Sequence, residues 1–121
     1  MASPTSRTLE HLRKLGYTAA VVEKFNSFVK IRQDLFGFID ILAIRADKTG
    51  CFGVQATSSA NHNSRVYKAK ASPHLKTWLA SGNSFEVWSW GKKGARGKRK
   101  LWEVRTEEIK KEDLTETINL I

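Results

Sequence analysis

The chain has 121 residues, enough for one domain, and its 21 Lys and Arg against 12 Asp and Glu give a formal net charge of +9. This excess predicts a polyanionic partner, and nucleic acid fits better than a membrane surface because no long basic amphipathic helix is evident. Residues 1–6 lack the apolar core of a signal peptide, and no apolar run approaches the ~20 residues of a membrane span, so we expect no membrane partner. Cys51 is the only cysteine, which excludes an internal disulfide and favours an intracellular, cytoplasmic setting.

A short amphipathic helix is predicted at the start of the chain. Ser3 suits the helix cap, Pro4 the first turn and Gly16 the end, so we expect a helix over residues 4–15. Its narrow apolar stripe consists of Leu9, Leu12 and Leu15. Glu10 lies roughly 100° around the helix from the first of these leucines, on the flank of the stripe, from where it can reach the edge of a sheet.

The segments after this helix are predicted to be strands. Residues 17–25 are β-branched at their centre and predict a first strand, although two alanines leave a helical continuation open. Asn26 and Ser27 form a predicted turn, and residues 28–31 then alternate like an edge strand. Gly37 has no side chain, which suits a close approach of another backbone segment or a bulge in a strand.

A central antiparallel hairpin is predicted from two apolar runs, residues 39–44 and 51–56, which are joined by a compact polar turn. Asp40 opens the first run and Gln55 closes the second, so the two side chains should lie at the same end of the hairpin. Thr57 follows two residues later and points to the same face as Gln55, because strand side chains repeat with period two. This spacing predicts that the three side chains converge at one end of a mixed sheet.

These residues resemble the core motif of the PD-(D/E)XK nuclease superfamily, most closely that of archaeal Holliday-junction resolvases and related phage endonucleases. Asp40 matches the metal-binding Asp of the motif, Gln55 falls at its Glu and Thr57 at its Lys. The resemblance implies a restriction-endonuclease-like α/β (α+β) fold, with a mixed sheet of about four to five strands flanked by helices. It also implies Mg2+ (or Mn2+) as cofactor, DNA, double-stranded or branched, as partner, and a homodimer as assembly.

The resemblance further implies an acid on the first helix that completes the metal site. Glu10 is the preferred match, and Glu23 is the alternative if the chain following the first helix is itself helical. Asp34 is either a second metal ligand or a turn-capping carboxylate, and the cap is preferred. The expected catalytic set is therefore Asp40, Gln55, Thr57 and Glu10, of which Asp40 and Gln55 bind the metal.

Beyond this motif the sequence predicts a polar loop over residues 58–65, a short helix over 66–71 and, after Pro73, a second short helix that ends at Gly82. Arg65, Lys68 and Lys70 can reach back to supply the cation that Thr57 lacks, or they are surface charges that contact phosphate or water. His62 in the polar loop is a candidate general base, although a solvated histidine is the commoner outcome.

A second hairpin is predicted from two alternating segments, residues 85–90 and 101–105, joined by a Gly-rich loop in which six of ten residues are cationic. A solubilising role is the alternative, but charges at this density repel one another unless a polyanion neutralises them. The predicted nucleic-acid surface consists of Lys92, Lys93, Arg96, Lys98, Arg99 and Lys100, together with Arg65 and Lys68. The tail after Thr106 predicts one or two terminal helices, with Leu114, Ile118 and Ile121 at helical spacing.

Two functions follow from this sequence. The first is a metal-dependent DNA endonuclease of microbial or phage type, with the specificity for branched DNA that the resemblance to resolvases implies. The second is a nuclease fold that binds DNA without cleaving it, because a Gln for Glu and a Thr for Lys remove charges on which the chemistry depends.

Overall fold

The computed structural model describes residues 2–114 as a mixed five-stranded sheet with helices on both faces. The expected α+β fold class is therefore confirmed. The helices are α1 (Pro4–Lys14), α2 (His62–Ala71) and α3 (Leu75–Ala80), with short 3-10 turns at Ser59–Asn61 and Lys111–Leu114. The strands are β1 (Thr18–Val21), β2 (Lys24–Asn26), β3 (Ile31–Gln33), β4 (Ile41–Ile44), β5 (Phe52–Ser58), β6 (Ser84–Lys93) and β7 (Leu101–Glu108).

The main sheet has the order β1-β4-β5-β6-β7, and only β5 and β6 are parallel. A parallel pair needs a crossover connection, which α2 and α3 provide. The other neighbours are antiparallel, as predicted for the hairpins β4–β5 and β6–β7. Strands β2 and β3 form a separate two-stranded ribbon.

The sheet separates two apolar cores. On one face Leu12 of α1 packs with Ile41, Val54, Trp88 and other side chains. On the other face the helices α2 and α3 pack on Ile39, Phe85, Val87 and their neighbours, where Val66, Leu75 and Trp78 supply the helical side chains. Successive side chains of the central strands therefore face different cores, as in strands that are buried on both faces.

The predicted first helix is confirmed, and Ser3 caps it by accepting a hydrogen bond from the Ser6 backbone N–H at 3.1 Å. The predicted first strand was too long, because β1 ends at Val21 and the chain leaves the main sheet at Glu23 to begin β2. The predicted edge strand over residues 28–31 was wrong. The side chain of Asn26 accepts hydrogen bonds from the next backbone N–H groups and closes a turn over residues 27–30.

Two other expectations change in detail. The predicted polar loop after β5 is shorter than expected, since α2 already begins at His62. The Gly-rich cationic loop predicted over residues 91–100, which we call the basic loop, is also shorter. Strand β6 continues through Lys93, and only residues 94–100 connect β6 to β7. In the tail the structure shows a 3-10 turn that ends at Leu114, and Ile118 and Ile121 lie outside the described residues.

Gly50 lies where the β4–β5 turn touches the connection between α3 and β6. Its φ is +81°, and a Cβ at this position would collide with the backbone carbonyl oxygen of Gly82. Close by, the Ser84 backbone N–H donates to the Cys51 carbonyl oxygen at 3.0 Å. These contacts fix the start of β5 relative to the start of β6.

We expect Gly50→Ala to lower the free energy of unfolding by more than about 2 kcal/mol, because it adds a backbone collision to the cost of a left-handed residue. Gly97→Ala is the matched control, since Gly97 has a φ of +79° and nothing within 4 Å of the added Cβ. It should cost about 1 kcal/mol. Urea unfolding of both variants measures the difference, and equal losses would contradict the close approach.

Candidate metal and nucleic-acid site

Asp40 and Gln55 meet at one end of the β4–β5 hairpin, as predicted. The Asp40 backbone N–H donates to the carbonyl oxygen of Val54 at 2.9 Å, which extends the strand pairing to this residue. The Gln55 side-chain Nε2 donates to Asp40 Oδ2 at 2.6 Å, and the Ala56 backbone N–H donates to the same oxygen at 2.9 Å. Both side chains are almost fully buried. The predicted proximity of these two residues is confirmed.

Two further carboxylates join Asp40 in what we call the acidic group. Glu23, Asp34 and Asp40 each place a carboxylate oxygen within 4.8 Å of the others. Glu23 comes from the link between β1 and β2, and Asp34 follows β3 directly. The group therefore gathers three separate segments of the chain at one end of the sheet.

Glu10 is not a member of this group, and the preference for it over Glu23 was wrong. Helix α1 covers the sheet face that Ile41 and Val54 line. Asp40 and Gln55 each alternate with these residues, so their side chains lie on the opposite face. The Glu10 side chain is 71% exposed, and its Oε1 lies 3.4 Å from Lys14 Nζ.

The preferred role of Asp34 as a turn cap was also wrong, since its side chain joins the acidic group instead. Its Oδ2 accepts a hydrogen bond from Lys68 Nζ of α2 at 2.9 Å. Glu23 is held in a similar way, because its Oε1 accepts from Arg32 Nη1 at 3.0 Å. Each of these outer acids therefore has a cationic partner that is itself more exposed than the acid.

Burial and a neighbouring carboxylate set the protonation of the acidic group. Burial in the first place, followed by the hydrogen bond and the negative charge of Asp34, raises the pKa of Asp40 to about 8, although the Ala56 N–H opposes this shift. Burial alone would raise the pKa of Asp34 too. The hydrogen bonds of Asp34 with Asp40 and Lys68, together with the positive charges of Lys68 and Arg65, nevertheless hold the pKa of Asp34 below its ordinary value. At neutral pH Asp40 therefore carries the proton that the two aspartates share.

The acidic group has the donor chemistry that a hard divalent cation needs. Carboxylate and amide oxygens are the ligands that Mg2+ and Mn2+ prefer. The Gln55 Oε1 atom is buried and has no hydrogen-bond partner, although the Nε2 of the same amide contacts Asp40. A buried carbonyl oxygen without a partner is costly, and a cation beside Asp40 would satisfy it. The residues present thus fit a metal ion.

Thr57 lies on the same strand face as Gln55 and is 5% exposed. Its neighbour across the parallel pairing is Ser89 of β6. Its hydroxyl group cannot provide the positive charge of a lysine. Of the three cations predicted to reach back towards Thr57, Lys68 is the one that bonds a carboxylate of the acidic group.

His62 belongs to a buried polar network that the sequence alone did not reveal. Its Nδ1 lies 2.6 Å from Ser89 Oγ and its Nε2 lies 2.9 Å from Glu107 Oε1. Because a carboxylate accepts hydrogen bonds only, Nε2 carries a proton in its contact with Glu107. The expectation of a solvated loop histidine was wrong, since His62 is 1% exposed at the start of α2. The sequence contained one sign of this network. Ser89 is a polar residue on the strand face that Phe85 and Val87 line, so a buried polar partner could have been expected.

The basic loop extends from the same end of the sheet as the acidic group. Strands β5 and β6 are parallel, with Gln55 beside Val87, so the six further residues to Lys93 place the loop about 20 Å beyond the site. Residues 92–100 are all exposed. Lys92 and Lys93 lie on β6 itself, and Lys92 Nζ is 5.5 Å from the centre of the Trp102 ring.

No protein-family profile, curated protein or solved structure matches this chain significantly. The assignment of the site therefore depends on the residues themselves. Across residues 2–114, no helix has the length and apolar character needed to cross a membrane.

The raised pKa of Asp40 predicts a dependence of stability on pH. Between about pH 4 and pH 8 the folded protein keeps a proton that the unfolded chain has released, so the free energy of unfolding falls as pH rises, by at most about 1.4 kcal/mol per pH unit. Asp40→Asn should remove this contribution to the pH dependence, because the asparagine does not titrate. The pKa of Glu86 is also raised by burial, but it contributes equally to both proteins. Urea unfolding in EDTA at pH 5 and pH 7.5 tests this, and identical pH dependence of wild type and variant would contradict it.

Proposed function

We propose that the protein is a metal-dependent DNA endonuclease with a PD-(D/E)XK-type site. The observation that carries this proposal is the buried Asp40–Gln55 pair, together with Glu23 and Asp34, at one end of a mixed sheet. A structural role alone would leave the buried Gln55 carbonyl oxygen without a hydrogen-bond partner, which is an uncompensated cost.

Asp40, Asp34 and the Gln55 carbonyl oxygen would hold the ion, and Glu23 would add negative charge. A bound Mg2+ or Mn2+ would polarise the phosphodiester and supply a nucleophilic water near neutral pH. Asp40 must lose its proton to bind a cation, so its raised pKa couples occupancy of the site to pH. The neutral Gln55 contributes no charge, which weakens the affinity for the ion compared with a glutamate.

Lys68 supplies the positive charge that the neutral Thr57 cannot supply. Its ammonium group lies 2.9 Å from Asp34, and its side chain is 45% exposed. A lysine on a flexible stem can turn from this carboxylate towards the phosphoryl oxygens of a bound strand. Arg65 adds positive charge from the same helix, since its charge is felt at Asp34.

The basic loop supplies the binding surface for the DNA backbone. Its cations lie about 20 Å from the acidic group, a little over half a helical turn of a duplex. Such contacts orient the DNA without reading its sequence. The nucleic-acid partner and the single cysteine fit an intracellular setting.

The alternative function is a DNA-binding protein on a nuclease fold that has lost catalysis. Thr57 is neutral, and Lys68 and Arg32 already neutralise two of the three acids. If these cations stay in place when DNA binds, the site holds no ion and performs no chemistry.

Asp40→Ala should abolish Mg2+- and Mn2+-dependent cleavage of plasmid and branched DNA while leaving binding in EDTA nearly unchanged, because the ligand is lost but the basic surface remains. Asp47→Ala, which removes an exposed acid in the β4–β5 turn, is the matched control and should cleave like wild type. Absence of cleavage by wild type with either metal, across plasmid, single-stranded and branched substrates, would select the DNA-binding alternative.

Neutralising Lys98, Arg99 and Lys100 should flatten the dependence of DNA affinity on salt. Three lost phosphate contacts reduce the slope of log affinity against log salt by about 2.7. The matched control neutralises Lys48, Lys110 and Lys111, which lie at the opposite end of the sheet, and should leave the slope unchanged. Fluorescence anisotropy between 50 and 200 mM salt measures both slopes. Equal slopes for the two triple variants would place the binding surface elsewhere.

A further inference from the structure

The ribbon of β2 and β3 carries a set of exposed apolar side chains that the folding of this domain does not use. Phe28 at its tip is 96% exposed, and Phe25, Val29 and Ile31 are each more than half exposed. Phe25 and Ile31 lie on opposite faces of the ribbon, because Phe25 pairs with Arg32 and Ile31 pairs with Asn26. Both faces are therefore open, unlike those of a strand that covers a core.

The tip of the ribbon has a defined shape. Asn26 Oδ1 accepts hydrogen bonds from the backbone N–H groups of Phe28 at 3.0 Å and Val29 at 3.4 Å. Lys30 closes the turn with a φ of 54°, a left-handed conformation that is uncommon for a residue with a side chain. An aromatic ring is thus held outward on a structured turn.

The base of the ribbon is attached to the acidic group. Glu23 precedes β2 directly, and its carboxylate is bonded to Arg32 of β3. Five residues of extended chain from Glu23 to Phe28 span at most about 17 Å, or roughly five base steps of a duplex. The ring therefore lies within reach of a strand whose phosphate is at the acids.

We infer that the β2–β3 ribbon is a wedge that inserts Phe28 between the bases of DNA at a position where they are unpaired or easily unstacked. This inference rests on the proposed function and specifies its substrate as branched, bulged or otherwise distorted DNA. A two-stranded ribbon fits a groove of DNA, and apolar side chains that enter a base step unstack it. An aromatic ring also stacks on an exposed base of any sequence.

The charge of the ribbon favours DNA over a second copy of the chain as its partner. Lys24 and Lys30 are exposed beside the apolar side chains, and Arg32 is 73% exposed. A contact between two ribbons would bring these cations close to the like charges of the second copy, in a chain whose net charge is already +9. Phosphates beside the inserted ring would instead neutralise them.

The test compares two DNA duplexes of the same sequence, one fully paired and one with a single unpaired base, bound to the full chain in EDTA. Wild type should prefer the bulged duplex, and Phe28→Ala should lose about 5- to 150-fold in affinity for it while losing little for the paired one. Phe28→Trp should keep the preference because it retains a stacking ring. Ile44→Ala removes a half-exposed side chain from the far end of β4 and is the matched control that should change neither affinity.

Phe28 is so exposed that its substitution should leave folding intact, which circular dichroism verifies. A Phe28→Ala variant with an unchanged preference for bulged DNA overturns the wedge and leaves the nuclease proposal standing, since wild-type cleavage is measured separately. A wild-type dimer in sedimentation that Phe28→Ala converts to a monomer, with DNA preference unchanged, also overturns it and identifies an interface between copies. Failure of wild type to bind either duplex overturns the wedge and the proposed function together.

Discussion

A carboxyl group buried between two strands is the constraint on which this end of the molecule depends. Asp40 can be ionised there only if donors or cations surround it, because an isolated charge in a protein interior is strongly disfavoured. The structure offers it two hydrogen-bond donors, the Gln55 amide and the Ala56 N–H, while burial and the neighbouring Asp34 raise its pKa to about 8. The β1–β2 link, the segment after β3 and α2 each supply a charge to this spot.

In the proposed function, the balance of charges at this spot decides between catalysis and binding. Three acids face Lys68, Arg32 and the more distant Arg65, so the group is nearly neutral while its cations are in place. A divalent ion could replace Lys68 and Arg32 as the partner of the acids, and a phosphodiester could replace the acids as the partner of these two cations. The exposure of Lys68 and Arg32 makes such an exchange of partners sterically simple, whereas buried cations would lock the group.

The sequence predicted the parts of this site that depend on neighbouring residues, and it failed where packing decided. Asp40 and Gln55 were located correctly because one short turn and the period of a strand determine their meeting. Glu10 was chosen wrongly because the face of the sheet on which a helix packs is a long-range property that its own periodicity does not contain. The contact of Lys68 with Asp34 and the network of His62 join residues 27 to 45 positions apart, which no local pattern could pair.

The alternation of β5 also restricts how this protein can change in length. Gly53, Gln55 and Thr57 face one side of the sheet while Phe52, Val54 and Ala56 face the other, and the parallel pairing with β6 holds this register. A single residue inserted before β5 would have to be absorbed entirely by the turn, or it would exchange the polar side chains for core side chains. Related chains should therefore keep the length of the β4–β5 turn while the basic loop, which no core confines, lengthens and shortens freely.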